Sequence, residues 1–184
     1  MQRKGSAVEK LARLQQAYAP HEHRPLGGYL GSMTVWSTLT GAVAAYVWRT
    51  GRPVPDRPTP QDVVLLGVAS HKLSRMLAKT AVASPLRAPF TRYEGPIGTG
   101  EVMEQVRDEG SSVRHAIGEL VSCPFCLGVW VATGLTCGLV VAPRLTRLVA
   151  TGLTAVATSD FLQLAYAVAQ QLAEGRFGRA EHHA

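Results

Sequence analysis

Charge is scarce in this chain. Asp, Glu, Lys and Arg make up 17% of its 184 residues, below the roughly 25% of soluble domains. Between Leu26 and Trp48 there is none at all. The mean hydropathy is only +0.06, so the average alone does not exclude a soluble domain. The gathering of apolar residues into blocks argues against one. Cysteine is scarce too, and three cysteines leave one over from any disulfide framework. The glycine-rich stretch Gly95–Glu101 lacks the Gly-Lys-Ser/Thr ending of a phosphate loop and reads as a turn. No Ser–His–Asp or paired-carboxylate arrangement is evident. Helix-turn-helix, zinc-finger and RNA-stacking signatures are missing as well. Nucleic acid is therefore not an expected partner, despite a net charge of +6 and a pI near 9.6.

The basic residues lie mostly at the ends of the apolar blocks, as in membrane flanks that meet anionic lipid. Residues 1–25 form a polar segment, not a cleaved signal peptide. Within it Val8, Leu11, Leu14 and Tyr18 recur at amphipathic helical steps. Residues 26–48 follow as a first transmembrane helix, about 34 Å long at 1.5 Å per residue. Tyr46 and Trp48 sit at its far end, where aromatic rings favour the interface. Gly27 and Gly31, and later Gly134 and Gly138, make G-x-x-x-G pairs that suit close helix approach.

The proline-rich stretch 49–60 is a loop. Thr59, Pro60 and Asp62 then make a good helix start. A membrane domain spanning 62–172 follows, with helices expected at about 62–83, 121–142 and 145–172. A polar loop over 84–119 separates the first two, its Glu101–Gly110 part acidic and helix-prone. Residues 173–184 read as a loose tail. The fold class expected is all-α, a multi-pass transmembrane bundle of about four helices. With both termini inside, fourteen Lys and Arg fall on the inner side against five outside. That bias places both termini in the cytoplasm.

Two constellations carry potential chemistry. Cys123-Pro124-Phe125-Cys126 suits a helix N-terminus, where backbone N–H groups and the helix dipole favour thiolate. Three readings stand side by side: a redox pair, half of a metal site, and a capped helix whose small cysteines pack. For zinc, His115 is a further candidate ligand beside Cys123 and Cys126. A redox role calls for an electron partner, and Cys137, about 16 Å further along the same helix, is too far to bridge. The second constellation is ionic. Asp160 falls in the last apolar block, at a depth matching the basic residues of the second, so it is expected to pair with Arg75 or Lys72.

The succession KLSRMLAK…SPLRAPF, a polar insert, then GELVSCPFCLGVWVA resembles a bacterial family known as domain of unknown function 1360. Its members look like small multi-pass membrane proteins with a basic helix, a P-L-R turn and an E-L-x-x-C-P-x-C-x-G-x-W block. The resemblance covers roughly Asp62 to Leu172. It rests on Glu119, Leu120, Cys123, Pro124, Cys126, Gly128 and Trp130, and on Lys72, Arg75, Pro85, Leu86 and Arg87. Where the family pattern often places an acidic residue after the basic helix, this chain has Thr80, which weighs against a catalytic carboxylate there. The resemblance implies a fold and a site but supplies no reaction.

The function expected is that of a non-enzymatic helical component of the bacterial cell membrane, acting through lipid, other membrane proteins or self-association. The alternative is a membrane thiol-redox or metal-binding protein using Cys123 and Cys126, with zinc or a redox partner.

Overall fold

The computed structural model describes residues 7–21, 24–54, 57–107 and 111–181. Residues 1–6 and 22–23 of the N-terminal segment, 55–56 and 108–110 of the polar loops, and 182–184 of the tail lie outside the described residues. The helices are α1 (Ala7–Tyr18), α2 (Leu26–Thr50), α3 (Pro60–Lys79), α4 (Ser84–Arg87), α5 (Ser112–Ser122), α6 (Pro124–Val141) and α7 (Pro143–Glu181). An antiparallel hairpin, β1 (Thr91–Gly98) and β2 (Glu101–Val106), stands between α4 and α5.

Two parts of the expected all-α bundle of four membrane helices are overturned. The loop 84–119 holds a two-stranded sheet, and its acidic segment is strand β2 rather than helix. Among the described residues only α6 and the Pro143–Glu174 part of α7 are long and apolar enough to cross a membrane. The physical reasons are visible in the sequence. Helix α2 is free of charge to Trp48 but diluted by glycine, serine and threonine. Helix α3 carries His71, Lys72, Arg75 and Lys79. Helix α7 also continues through Glu181, so the segment expected as a loose tail is helical to that point.

Boundary chemistry explains where the helices begin. Thr59 caps α3 by accepting the Asp62 N–H at 3.1 Å, with Pro60 in the first turn. Pro124 ends one helix and starts another. It cannot donate to α5 and holds Cys123 extended (φ −101°, ψ 110°), yet its fixed φ suits the first position of α6.

Three helices form the centre, α3 packing against both α6 and α7. Contacts between Asp62 and Arg147, Leu65 and Thr154, and Lys72 and Asp160 show that α3 and α7 run the same way. Helix α6 returns between them, joined to α7 by Ala142. Helix α2 follows α6 in direction, from Tyr29 at Glu119, through Trp36 at Thr133, to Arg52 on the Val141 carbonyl.

The buried apolar residues are small. Among the described residues they are Pro25, Ala69, Ala78, Ala116, Ala150 and Ala157, with Val102 the largest. Ser70, Ser74 and Thr146 are buried beside them. Large apolar side chains lie outside instead, among them Val129, Leu148, Phe161, Leu164 and Val168. Helices approach closely where side chains are small. A Cβ on Gly28 would stand 2.2 Å from the Ser112 carbonyl oxygen, and one on Gly138 2.6 Å from Thr146 Oγ1.

Candidate functional site

Four features of the sequence meet at one end of the central helices: the cysteine pair, the basic end of α3, the P-L-R turn and Glu119. Cys123 closes α5 and caps α6. Its N–H bonds to the Glu119 carbonyl at 3.1 Å. Its sulfur accepts the Cys126 N–H at 3.4 Å. Cys123 is half-buried and Cys126 exposed, both as free thiols. Burial pushes the Cys123 thiol up. The neighbouring Cys126 side chain and the N–H groups of Cys126 and Phe125, with the charge of Lys79, outweigh it and hold Cys123 below its ordinary value.

Glu119 anchors this end to α2. It accepts from Arg24 Nη1 at 3.2 Å and from the Tyr29 hydroxyl, and His115 Nε2 lies 3.6 Å away. His115 thus faces Glu119. Among the described residues no three of His, Cys, Asp and Glu gather to hold a metal ion. Cys137 lies further along α6, half-buried. Gly128 brings α6 against α3, where an added Cβ would touch Ser74 Oγ at 3.8 Å. Trp130 is half-buried on α6.

Arg87 organises the hairpin. Its guanidinium is 1% exposed and Glu104 5%. Arg87 Nε and Nη2 donate to the two Glu104 oxygens at 2.8 and 2.9 Å. Nη1 and Nη2 also reach the Leu77 and Thr80 carbonyls at 2.6 and 3.0 Å, capping the C-terminus of α3. Ser84 and Thr91 hydroxyls complete the shell around Glu104. Pro85 lies in the first turn of α4, which presents Arg87. Arg75 makes a two-bond pair with Glu101 at 2.7 and 2.8 Å, fastening the hairpin turn to α3. Asp160 receives the Lys72 ammonium instead, and the His71 and Phe161 rings stack beside it with centroids 6.5 Å apart.

Sequence reasoning missed Glu101, Glu104, Arg24, Tyr29 and the Asp62–Arg147 pair at 2.9 and 3.0 Å. One signal was available: a charged Arg87 between apolar residues needs an acid once buried. Nothing local shows which acid, because the partner arrives from the other strand of a hairpin.

The architecture is thus a helical layer with small residues inside and large apolar residues outside, closed at one end by a hairpin and a pair of thiols. The chain belongs to the family described as Protein of unknown function (DUF1360), whose model matches residues 65–166. It is similar to the Sporulation protein YjcA of Bacillus subtilis (strain 168), at 38% identity over 71 residues. That match covers 38% of this chain and 60% of the relative's own length. No solved structure matches.

Proposed function

We propose that the chain is a membrane-embedded helical component of the bacterial cell membrane, anchored by the α6–α7 hairpin and acting through contacts with lipid and other membrane proteins. One observation carries this reading. Small residues fill the helix contacts while Val129, Leu148, Phe161, Leu164 and Val168 face outward. A soluble core buries its large apolar side chains, whereas helices in lipid pack through small ones. No residue of Pro124–Val141 is fully buried by protein, and only 11% of the apolar window within Pro143–Glu174 is. Lipid tails are the occupant that such an uncovered apolar surface fits.

The pairing of Lys72 with Asp160 neutralises two charges within the helical layer, consistent with a low-dielectric setting. Lys79, Arg92, Arg107 and Arg114 lie in the segment around the Cys123 end, which supports placing that end in the cytoplasm. The α6–α7 hairpin then enters and leaves on that side. The relative's name supports a part in sporulation for this chain too.

Alkaline carbonate extraction of native membranes tests the anchor. The chain is expected to stay in the pellet, and a membrane-impermeant maleimide is expected to label Cys137 only after detergent is added. Release by carbonate, together with ready labelling of Cys137 in intact membranes, overturns the reading.

A further inference from the structure

Beyond anchoring, we propose that Cys123 and Cys126 form a dithiol that exchanges with a disulfide of a partner protein. The argument starts from the cap. Serine, threonine, aspartate and asparagine cap helices best because their oxygen accepts strongly. Here sulfur takes that place directly after Ser122, although a thiol is the weaker acceptor. Packing does not account for the pair either, because Cys126 is exposed. Pro124 fixes the first turn of α6, and the Cys123 sulfur already accepts the Cys126 N–H across it.

The surroundings divide the two roles. Cys123 Sγ accepts the Cys126 N–H at the start of α6 and feels the charge of Lys79, which together favour negative charge on its sulfur. Glu119 is the charged group felt on the Cys126 side. Cys123 is therefore the attacking thiol and Cys126 the resolving one.

The exchange balances without a metal or cofactor. The Cys123 thiolate attacks one sulfur of the partner's disulfide, breaking that S–S bond and releasing the other sulfur as a thiolate. Cys126 gives up its proton and attacks Cys123 Sγ, forming the Cys123–Cys126 disulfide and expelling the partner's second sulfur. Two electrons pass to the partner, and the two thiol protons end on its sulfurs. The reverse sequence oxidises a partner dithiol.

The full chain in detergent micelles is titrated in a reduced/oxidised dithiothreitol buffer and then offered a peptide with an intramolecular disulfide. Wild type and Cys137→Ser are expected to titrate alike, as one two-electron couple lost in Cys123→Ser. Cys126→Ser is expected to accumulate a mixed disulfide between Cys123 and the peptide, and Cys123→Ser to trap none. Two thiols that stay free to the oxidising end overturn the proposal. So does equal trapping by both serine variants. Stoichiometric zinc held by both sulfurs in freshly purified chain overturns it in favour of a metal site. This inference does not rest on the membrane anchor: inert thiols would leave carbonate resistance intact, and carbonate release would leave the thiol titration readable.

Discussion

Arg87 is the side chain with the most work at one place. It neutralises Glu104 and bonds two carbonyls at the end of α3. Burial raises the Glu104 carboxyl, but bonds from Arg87, Thr91 and Ser84 outweigh it and hold the group below the ordinary carboxylate range. A carboxylate whose pKa is depressed on folding contributes stability above its unfolded value, about 4.3. That contribution is lost as pH falls through the folded value. Amide hydrogen exchange across β1 and β2 is therefore expected to accelerate selectively once pH drops below about 4. The Arg87→Met/Glu104→Leu pair should flatten that acid limb, because nothing is left to titrate there. An unchanged limb in the double variant would assign the effect to other carboxylates. At this scale the sequence was informative where chemistry is local. The helix start here depends on neighbours within three positions and could be read as a cap at Ser122 or Cys123; the structure takes Cys123. Glu104 lies seventeen positions from Arg87, and no spacing rule reaches across a hairpin that has not been recognised.

The hairpin itself was hidden for a reason at the level of elements. Glu101–Val106 contains Glu101, Glu104 and Gln105, residues that favour helix when taken alone. Pairing with β1, in a register that opposes Tyr93 to Glu104, overrides that preference. The helix start at Pro124 was legible because proline acts on its own backbone, but α5, which ends just before it, falls mostly within the expected polar loop. The G-x-x-x-G pairs were only half informative. Nothing lies within 4 Å of a Cβ placed on Gly31 or Gly134, whereas Gly27 meets Leu11 and Gly138 meets Thr146; the closest approach, Gly28 on α5, falls outside both pairs. Gly28→Ala is expected to cost about 1–3 kcal/mol through overpacking. Gly31→Ala should be neutral or stabilising by up to about 1 kcal/mol from helix propensity. Thermal unfolding of both variants in micelles checks the pair, and equal loss at the two positions would contradict the close contact between α2 and α5.

Over the whole molecule, polar side chains act as cross-links between helices whose contacts are otherwise small. Asp62 joins α3 to Arg147 at one end, and Lys72 joins it to Asp160 further along. Asp160→Leu leaves the Lys72 ammonium without its acceptor and is expected to cost about 1–3 kcal/mol. Lys72→Met/Asp160→Leu should recover most of that loss, as apolar replacements of ion pairs often do. Melting temperatures in micelles read the difference. A double variant no more stable than Asp160→Leu would show that the pair is not what joins these helices. The apolar blocks behind α6 and α7 were visible in the sequence because they are continuous and nearly free of charge. The number of qualifying helices was not, since α2 and α3 have helical length without the required hydropathy.

The connection between Lys72 and Asp160 also sets an order of events during synthesis. The two residues are separated by 88 positions. At roughly 5–20 residues per second, the ribosome delivers Asp160 about 4–18 s after Lys72. Throughout that interval the Lys72 ammonium lacks the Asp160 carboxylate. The contact between α3 and α7 at this point therefore forms only once α7 has been made, so the last helix synthesised completes a pairing begun by one made much earlier.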